Sequence, residues 1–136
     1  MRGKELARLH HASGATHRIW SDSEYVALLD QKSTCLLFER NAFILGQVLG
    51  DEAEIVMIAV DLAAQRQGIG KTILEKFEAE MRGRGVLQCF LEVSDKNGRA
   101  KRLYLRAGYH IVGRRKLYYH EQDGARCDAL ILRKDL

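Results

Sequence analysis

The chain has 136 residues, of which 46% are hydrophobic and 29% charged, an ordinary composition for a single globular domain spanning 1–136. No apolar run approaches the roughly 20 residues that span a bilayer, and the charged N-terminal residues leave no signal-peptide core, so we expect a cytoplasmic protein without a membrane partner. The formal net charge of +4 fits solubility in a domain of this size and would suit an anionic cofactor.

Glycine separates the predicted elements, since the chain contains 12 Gly and no Pro. A short N-terminal helix ending near Gly14 is predicted first. Serine and acidic residues then predict a capped second helix beginning after Ser21. Two strands follow, at 34–40 and 42–50, joined by a tight turn.

The central third predicts a strand, helix, strand crossover. The near-continuous apolar run 54–60 is typical of a strand that is buried on both faces. After a glycine loop, apolar residues recur every four positions from Ile69 to Met81, which predicts a helix with one core-facing stripe. The apolar stretch 86–93 predicts a second buried strand.

The last third predicts a helix capped within 94–97 and closed by Gly108, then two strands at 109–119 and 126–133. The full order is α-α-β-β-β-α-β-α-β-β. This order predicts an α+β fold with a central sheet between layers of helices. It argues against a doubly wound nucleotide-binding fold, which needs more βα repeats.

The three cysteines, Cys35, Cys89 and Cys127, lie in apolar stretches. No C-x-x-C pair is present and no histidine lies at metal-ligand spacing, so we predict buried, reduced thiols and no metal site.

The loop 65–72, with the sequence QRQGIGKT, resembles several phosphate-binding motifs. A P-loop would need glycine where Gln65 stands, and a dinucleotide fingerprint would need glycine where Ile73 stands. A glycine loop before a helix can still turn backbone N–H groups toward an anion, and the helix N-terminus adds partial positive charge. A turn without a ligand is the alternative, but it would not need two glycines and two cations.

The pattern Gln65-x-x-Gly68-x-Gly70 resembles the pyrophosphate loop of the GNAT N-acetyltransferases, which bind acetyl-coenzyme A. The predicted element order also resembles that fold, whose central sheet is mixed, of a seven-strand type, with helices on both faces. Further residues are similar to the signature of the RimI-type N-terminal acetyltransferases: Trp20-Ser21, Leu91-Glu92-Val93, Asn97, Leu103-Tyr104, Ala107-Gly108-Tyr109, Tyr118-Tyr119 and Asp128-Ala129-Leu130.

This resemblance implies a site for acetyl-coenzyme A, with no metal, formed by the loop and the strand before it. The loop backbone would hold the pyrophosphate, with added charge from Arg66 and Lys71. The end of the strand would pair its backbone with the pantetheine arm, and the Val60 amide would stabilise the oxyanion. The implied cofactor-binding residues are Ile58, Ala59, Val60, Arg66, Gln67, Gly68, Ile69, Gly70, Lys71, Thr72 and Asn97.

Two residues are candidates for proton transfer. An N-terminal amine has a pKa of about 8 and is mostly protonated at neutral pH, so a base must remove its proton. Glu92 is the only acidic residue in the strand 86–93, where burying a lone carboxylate is costly; the alternative is a glutamate that reaches solvent at the strand end. By resemblance, Tyr104 would protonate the departing thiolate; the alternative is a packing aromatic.

Tyr118 and Tyr119 are predicted to form a wall beside the acceptor's amino terminus, although a sheet-edge aromatic pair is an equal alternative. The neighbouring run 114–116 is basic. We expect it to be a solvated strand edge, so direct binding of nucleic acid is not predicted.

The leading functional hypothesis is an N-terminal acetyltransferase that modifies the α-amine of a protein, by resemblance a small-subunit ribosomal protein beginning with alanine. One alternative is acetylation of a small amine or a lysine side chain. Another is a module that binds acetyl-coenzyme A without turnover, against which the presence of Glu92 and Tyr104 argues. A P-loop NTPase is the weakest alternative because of Gln65.

Overall fold

The computed structural model describes residues 21–39, 41–65, 67–120 and 125–136. The predicted N-terminal helix, the turn at 122–124 and Arg66 lie outside these ranges. The described elements are α1 (Asp22–Leu29), β1 (Thr34–Glu39), β2 (Ala42–Leu49), β3 (Glu52–Val60), a 3-10 turn (Leu62–Ala64), α2 (Ile69–Gly83), β4 (Gln88–Ser94), α3 (Gly98–Arg106), β5 (His110–His120) and β6 (Arg126–Asp135).

The strands form one mixed sheet in the order β1-β2-β3-β4-β6-β5. The pair β3–β4 is parallel, because α2 carries the chain back between them, and the other neighbours are antiparallel. The predicted element order is confirmed within the described ranges. Those ranges contain six strands, one for each predicted apolar run, where the resemblance implied a seven-strand type.

Side-chain caps define the starts of two helices. Ser21 and Glu24 form a capping box: the Ser21 hydroxyl accepts from the Glu24 amide at 3.3 Å, and the Glu24 carboxylate accepts from the Ser21 amide at 3.0 Å. The side-chain oxygen of Asn97 accepts from the Ala100 amide at 3.2 Å and caps α3. Both predicted helix starts are therefore confirmed.

Hydrophobic cores cover both faces of the sheet. Alternate residues of β2 enter different cores, with Ile44 in the larger and Phe43 in the smaller. The larger core lies under α2 and α3 and includes Phe77, while the smaller core includes Leu28 of α1. Helices therefore lie on both faces, as predicted.

Gly46 of β2 is required by the packing of α2 against the sheet. A Cβ atom at this position would lie 2.4 Å from Cζ of Phe77 and 2.9 Å from the backbone oxygen of Glu54. Because the backbone oxygen cannot move aside, we expect Gly46→Ala to lower the free energy of unfolding by about 1–3 kcal/mol. Urea unfolding should show a lower midpoint. Gly83→Ala is the control, since a Cβ there meets no atom within 4 Å, and an equal loss in both variants would contradict this explanation.

The thiols of Cys35, Cys89 and Cys127 are all buried, and none of the three is in a disulfide, as predicted. Burial raises the pKa of Cys89 to about 11 and also raises that of Cys35. The thiols of Cys35 and Cys89 are therefore protonated at neutral pH. Among the described residues, no helix is long and apolar enough to cross a bilayer.

Candidate functional site

Strands β3 and β4 separate part of the way along the sheet. Their parallel ladder runs from Glu52, opposite Gln88, to Ile55, opposite Leu91, and ends there. Beyond that point β3 remains paired with β2 as far as Val60, and β4 remains paired with β6. The second half of β3 therefore presents a backbone edge to a gap in the middle of the sheet.

A β-bulge accounts for this separation. Opposite β2, Ile55 pairs with Gly46 and Met57 pairs with Leu45, so Val56 is an extra residue on β3. Such a bulge bends its strand and increases the local twist. The bulge also shifts the side chains of β3 by one position relative to the two faces of the sheet. Ile55 therefore lies in the larger core, whereas Met57, two residues later, lies in the smaller one. The bulge thus turns β3 away from β4 where the gap opens.

The predicted cofactor residues on β3, Ile58, Ala59 and Val60, all lie in this second half. Ile58 and Val60 are half-buried and pack against the larger core, and Ala59 is buried in the smaller core. Their side chains thus belong to the protein interior, while the strand edge toward the gap is formed by backbone. An extended ligand arm could add to such an edge as a further strand would.

The loop that follows β3 begins helix α2 beside the end of the gap. The Gln65 side-chain amide donates to the Val60 carbonyl at 2.8 Å, which joins the loop to the last residue of β3. Gly68 is the N-cap of α2 with φ of 76°, a left-handed conformation that glycine adopts without strain. The Thr72 hydroxyl donates to the Gly68 carbonyl at 2.9 Å. The first-turn amides of α2 have no intrahelical acceptor and are suited to an anion.

Gly70 has no packing reason to be glycine. A Cβ atom there would lie 3.5 Å from Leu103 of α3 and 3.8 Å from Val60, which are ordinary contact distances. Glycine within a helix is less favourable than alanine by about 1 kcal/mol. Its presence is consistent with the close approach of a ligand to the backbone.

The other predicted cofactor residues surround this helix start. Gln67, Lys71 and Thr72 are exposed, and Ile69 is half-buried against the larger core. Lys71 also forms an exposed ion pair with Glu75 at 3.8 Å. Asn97 uses its side-chain oxygen to cap α3, and its NH₂ group remains as a donor for a ligand.

Glu92 lines a cavity of about 270 Å³ on the face of the sheet away from α2. Its side chain is 25% exposed, and its Oε1 lies 3.2 Å from Nη2 of Arg115 on β5. Gln47, Phe90 and Ile131 also contribute to the cavity. Glu92 is therefore a half-buried carboxylate paired with Arg115, and part of its side chain still reaches solvent.

Glu54 is a second carboxylate in this cavity, and the sequence analysis missed it. It lies opposite Phe90 in the β3–β4 ladder, and Phe90 precedes Glu92 by two residues on β4. Partial burial raises the pKa of Glu54, the negative charge of Glu92 raises it further, and Arg115 counteracts both effects. The sequence did contain a signal for this residue, because Glu54 is the one acidic residue of the run 54–60, which was interpreted as a strand buried on both faces.

Tyr104 lies on the opposite side of the sheet from Glu92. It is 4% exposed, belongs to the larger core, and packs edge-on against Tyr109 with ring centroids 5.6 Å apart. On β4, Leu91 and Val93 point into that core, so Glu92 between them points away from it. The two predicted proton-transfer residues thus flank the sheet from opposite faces and could meet one substrate only through the gap.

Arg115 contacts both Tyr118 and Glu92 and so links the two side chains. The Arg115 guanidinium carbon lies 4.8 Å from the Tyr118 ring centroid, while the same guanidinium pairs with Glu92. Tyr118 is 49% exposed. The Tyr119 backbone pairs with Cys127, and its side chain is outside the described structure. The run Arg114–Lys116 is exposed, as predicted, but its arginines form ion pairs that organise this part of the site.

Comparisons of the sequence and of the structure with known proteins point to the same family. A model of the acetyltransferase (GNAT) family matches residues 5–109. The [ribosomal protein bS18]-alanine N-acetyltransferase of Escherichia coli K12 is 34% identical over 133 residues, covering 94% of this chain and 89% of that protein. The crystal structure of the ribosomal-protein-S18-alanine N-acetyltransferase from Escherichia coli has a TM-score of 0.82 at 33% identity, covering 97% of this chain and 88% of that one.

A more distant structure supports the fold alone. Naa20 of Chaetomium thermophilum, crystallised in complex with a bisubstrate analogue, has a TM-score of 0.81 at 21% identity, covering 100% of this chain and 84% of that one. Together with the described mixed sheet, these likenesses confirm the predicted α+β fold.

Proposed function

Since the chain belongs to the acetyltransferase (GNAT) family and is an acetyl-coenzyme-A-dependent N-acetyltransferase of the RimI type, we propose that its acceptor is the α-amine of a protein N-terminus. The relative from Escherichia coli is named for an alanine of ribosomal protein bS18. We propose an alanine of a small-subunit ribosomal protein as the acceptor here, and the cytoplasm as the place of reaction.

The similarity to the bS18-alanine N-acetyltransferase supports the acceptor class, and the observation that carries the acetyl-coenzyme A site is the gap between β3 and β4. The backbone edge of Ile58–Val60 faces this gap, and the first turn of α2 lies where β3 ends. We assign the strand edge to the pantetheine arm of acetyl-coenzyme A and the first turn of α2 to its pyrophosphate. The thioester would then lie within the sheet, between the cavity that contains Glu92 and the helix that carries Tyr104.

In the proposed reaction, Glu92 takes a proton from the acceptor ammonium, directly or through water. The neutral amine nitrogen forms a bond to the thioester carbonyl carbon while the Val60 amide donates a hydrogen bond to the developing oxyanion. Breaking of the carbon–sulfur bond releases the thiolate, to which Tyr104 gives its phenolic proton. The nitrogen, still carrying one proton more than an amide, loses it to solvent, and solvent returns a proton to Tyr104 and takes the one held by Glu92, so that one proton is released overall. The products are the N-acetylated terminus and coenzyme A.

Arg115 has a place in this proposal that the sequence analysis did not assign. Its guanidinium pairs with Glu92 at 3.2 Å, and both residues line the cavity. An acceptor ammonium that approaches Glu92 has to share the carboxylate with this cation. The nearby Glu54 carboxylate adds negative charge to the same cavity, which favours a cationic acceptor.

Mass spectrometry of a panel of acceptors incubated with acetyl-coenzyme A tests this function. The panel contains peptides beginning with Ala, Ser and Met, a lysine peptide with a blocked N-terminus, and spermidine. We expect the mass gain of one acetyl group on the α-amine of the alanine peptide. Modification of only the lysine peptide or spermidine would contradict the acceptor class. Binding of coenzyme A without any transfer would favour a sensing module.

A further inference from the structure

Strand β5 is irregular beside the cavity. Arg115 pairs with Ala129 of β6, and the next pair along the ladder joins Tyr119 to Cys127. The three residues Lys116–Tyr118 therefore lie opposite the single residue Asp128, which leaves two extra residues on β5. We call this segment the lip. Within it Leu117 has φ of 51°, a left-handed conformation that is rare for a residue with a branched, bulky side chain.

The Asp128 carboxylate holds the lip in this conformation. One oxygen accepts from the Leu117 amide at 2.9 Å, and the other accepts from the Arg114 guanidinium at 2.6 Å. These two donors lower the pKa of Asp128, the amide having the larger effect, so the carboxylate is charged at neutral pH. Asp128 thus holds the centre of the lip through the Leu117 amide and also holds Arg114, which precedes the lip on β5.

The same contacts join the lip to the segment that precedes α3. The Arg114 guanidinium also donates to the Asp95 carboxylate at 3.3 Å, and the Asp95 amide donates to the Asp128 carbonyl at 3.0 Å. Asp95 lies just after β4, two residues before the cap of α3. A displacement of the lip would therefore be resisted by contacts with both β6 and the end of β4.

The lip carries Tyr118 toward the acceptor side of the site. Its ring lies under the Arg115 guanidinium, which pairs with Glu92 in the cavity. The ring remains about half exposed, which leaves an aromatic surface beside the proposed entrance for the amine. Strained backbone conformations are retained mostly where the surrounding structure holds a functional group in place.

From this geometry, and resting on the proposed function, we propose that Asp128 is a positioning residue for the acceptor. By fixing the left-handed turn at Leu117 it holds Tyr118 where the acceptor chain passes beyond its first residue. Asp128 itself touches neither reacting group. Its removal should therefore weaken the hold on the acceptor peptide and leave the acetyl-coenzyme A site intact.

Steady-state kinetics of Asp128→Ala with an alanine-initiated hexapeptide tests this proposal. We expect KM for the peptide to rise about tenfold, since small displacements of positioning groups are costly, while kcat and KM for acetyl-coenzyme A stay near their original values. Asp135→Ala is the matched control. It removes another aspartate of β6, one that is paired with Arg133 at 3.7 Å at the far end of the ladder, and should change none of the three constants.

Two further variants separate positioning from general stabilisation. If Asp128 acts through Tyr118, Asp128→Ala should add little to the effect of Tyr118→Ala, because effects on one contact are not additive. Glycine adopts a positive φ without strain, so adding Leu117→Gly to Asp128→Ala should lower the peptide KM part of the way to its original value.

The outcomes separate this inference from the proposed function. Three results would each overturn the positioning role. The first is additive effects of the Asp128 and Tyr118 changes, the second is a fall in kcat together with a rise in both KM values, and the third is an unchanged peptide KM. Failure of the unaltered chain to acetylate any α-amine would instead overturn the proposed function.

Discussion

Replacement of Glu92 by Gln is expected to lower kcat for acetylation of an alanine-initiated peptide by about 10²–10⁴-fold at neutral pH, the range for loss of a general base. Gln keeps the shape of the side chain but cannot take a proton from the acceptor ammonium. The ion pair with Arg115 is partly exposed, and such pairs contribute only about 0–1 kcal/mol. The melting temperature should therefore change little.

The pH dependence makes this prediction sharper. The α-amine of a peptide has a pKa of about 8, so the neutral amine becomes the major form above that pH without help from the protein. The rate of Glu92→Gln should continue to rise through this range, and its deficit relative to the unaltered enzyme should shrink. The measurement is kcat/KM for the peptide from about pH 6 to pH 9. A deficit that does not depend on pH would argue that Glu92 binds the acceptor without removing its proton.

Glu54→Gln provides the comparison, because Glu54 is a carboxylate of the same cavity. Partial burial and the charge of Glu92 raise its pKa, which makes it the other candidate base of the cavity. We expect its replacement to have a much smaller effect on kcat. A larger loss for Glu54→Gln than for Glu92→Gln would move the role of base from β4 to β3.

Gly70→Asp is expected to weaken binding of coenzyme A by about 100-fold or more, because a carboxylate beside the pyrophosphate would repel it by several kcal/mol. The substitution should not harm the fold. The new Cβ atom meets Leu103 at 3.5 Å, an ordinary contact, and an acidic residue in the first turn of a helix adds about 0.3–1 kcal/mol of stability. Affinity and stability should therefore change in opposite directions.

Isothermal titration with coenzyme A and thermal unfolding check this expectation together. Gly83→Asp is the control, since it adds the same charge in open space at the other end of α2 and should leave the affinity unchanged. Added salt should recover part of the loss in Gly70→Asp by screening the repulsion. Unchanged affinity in Gly70→Asp would place the pyrophosphate somewhere other than the first turn of α2.

Local sequence patterns were sufficient to predict the elements of this fold. The apolar run of β3, the four-residue repeat of α2 and the cap at Ser21 each depend on neighbours within a few positions, and each predicted structure is present. The glycine pattern at Gly68 and Gly70 likewise located the start of α2. These features follow from backbone geometry, which a short stretch of sequence specifies.

The gap in the sheet could not be predicted in this way. It depends on the extra residue Val56, which is defined only by the register of β3 against β2. The sequence shows an unbroken apolar strand at that position. Strand register is decided by pairing between segments distant in the chain, so a bulge becomes visible only in the assembled sheet.

The sequence alone thus determined the order of the elements, the family resemblance and the candidates Glu92 and Tyr104. Only the tertiary structure decided what surrounds them. It paired Glu92 with Arg115, added Glu54 to the same cavity, and buried Tyr104 on the opposite face of the sheet. The physical reason is that the charge, burial and reach of a side chain depend on neighbours from β3, β4 and β5, which approach one another only when the sheet forms.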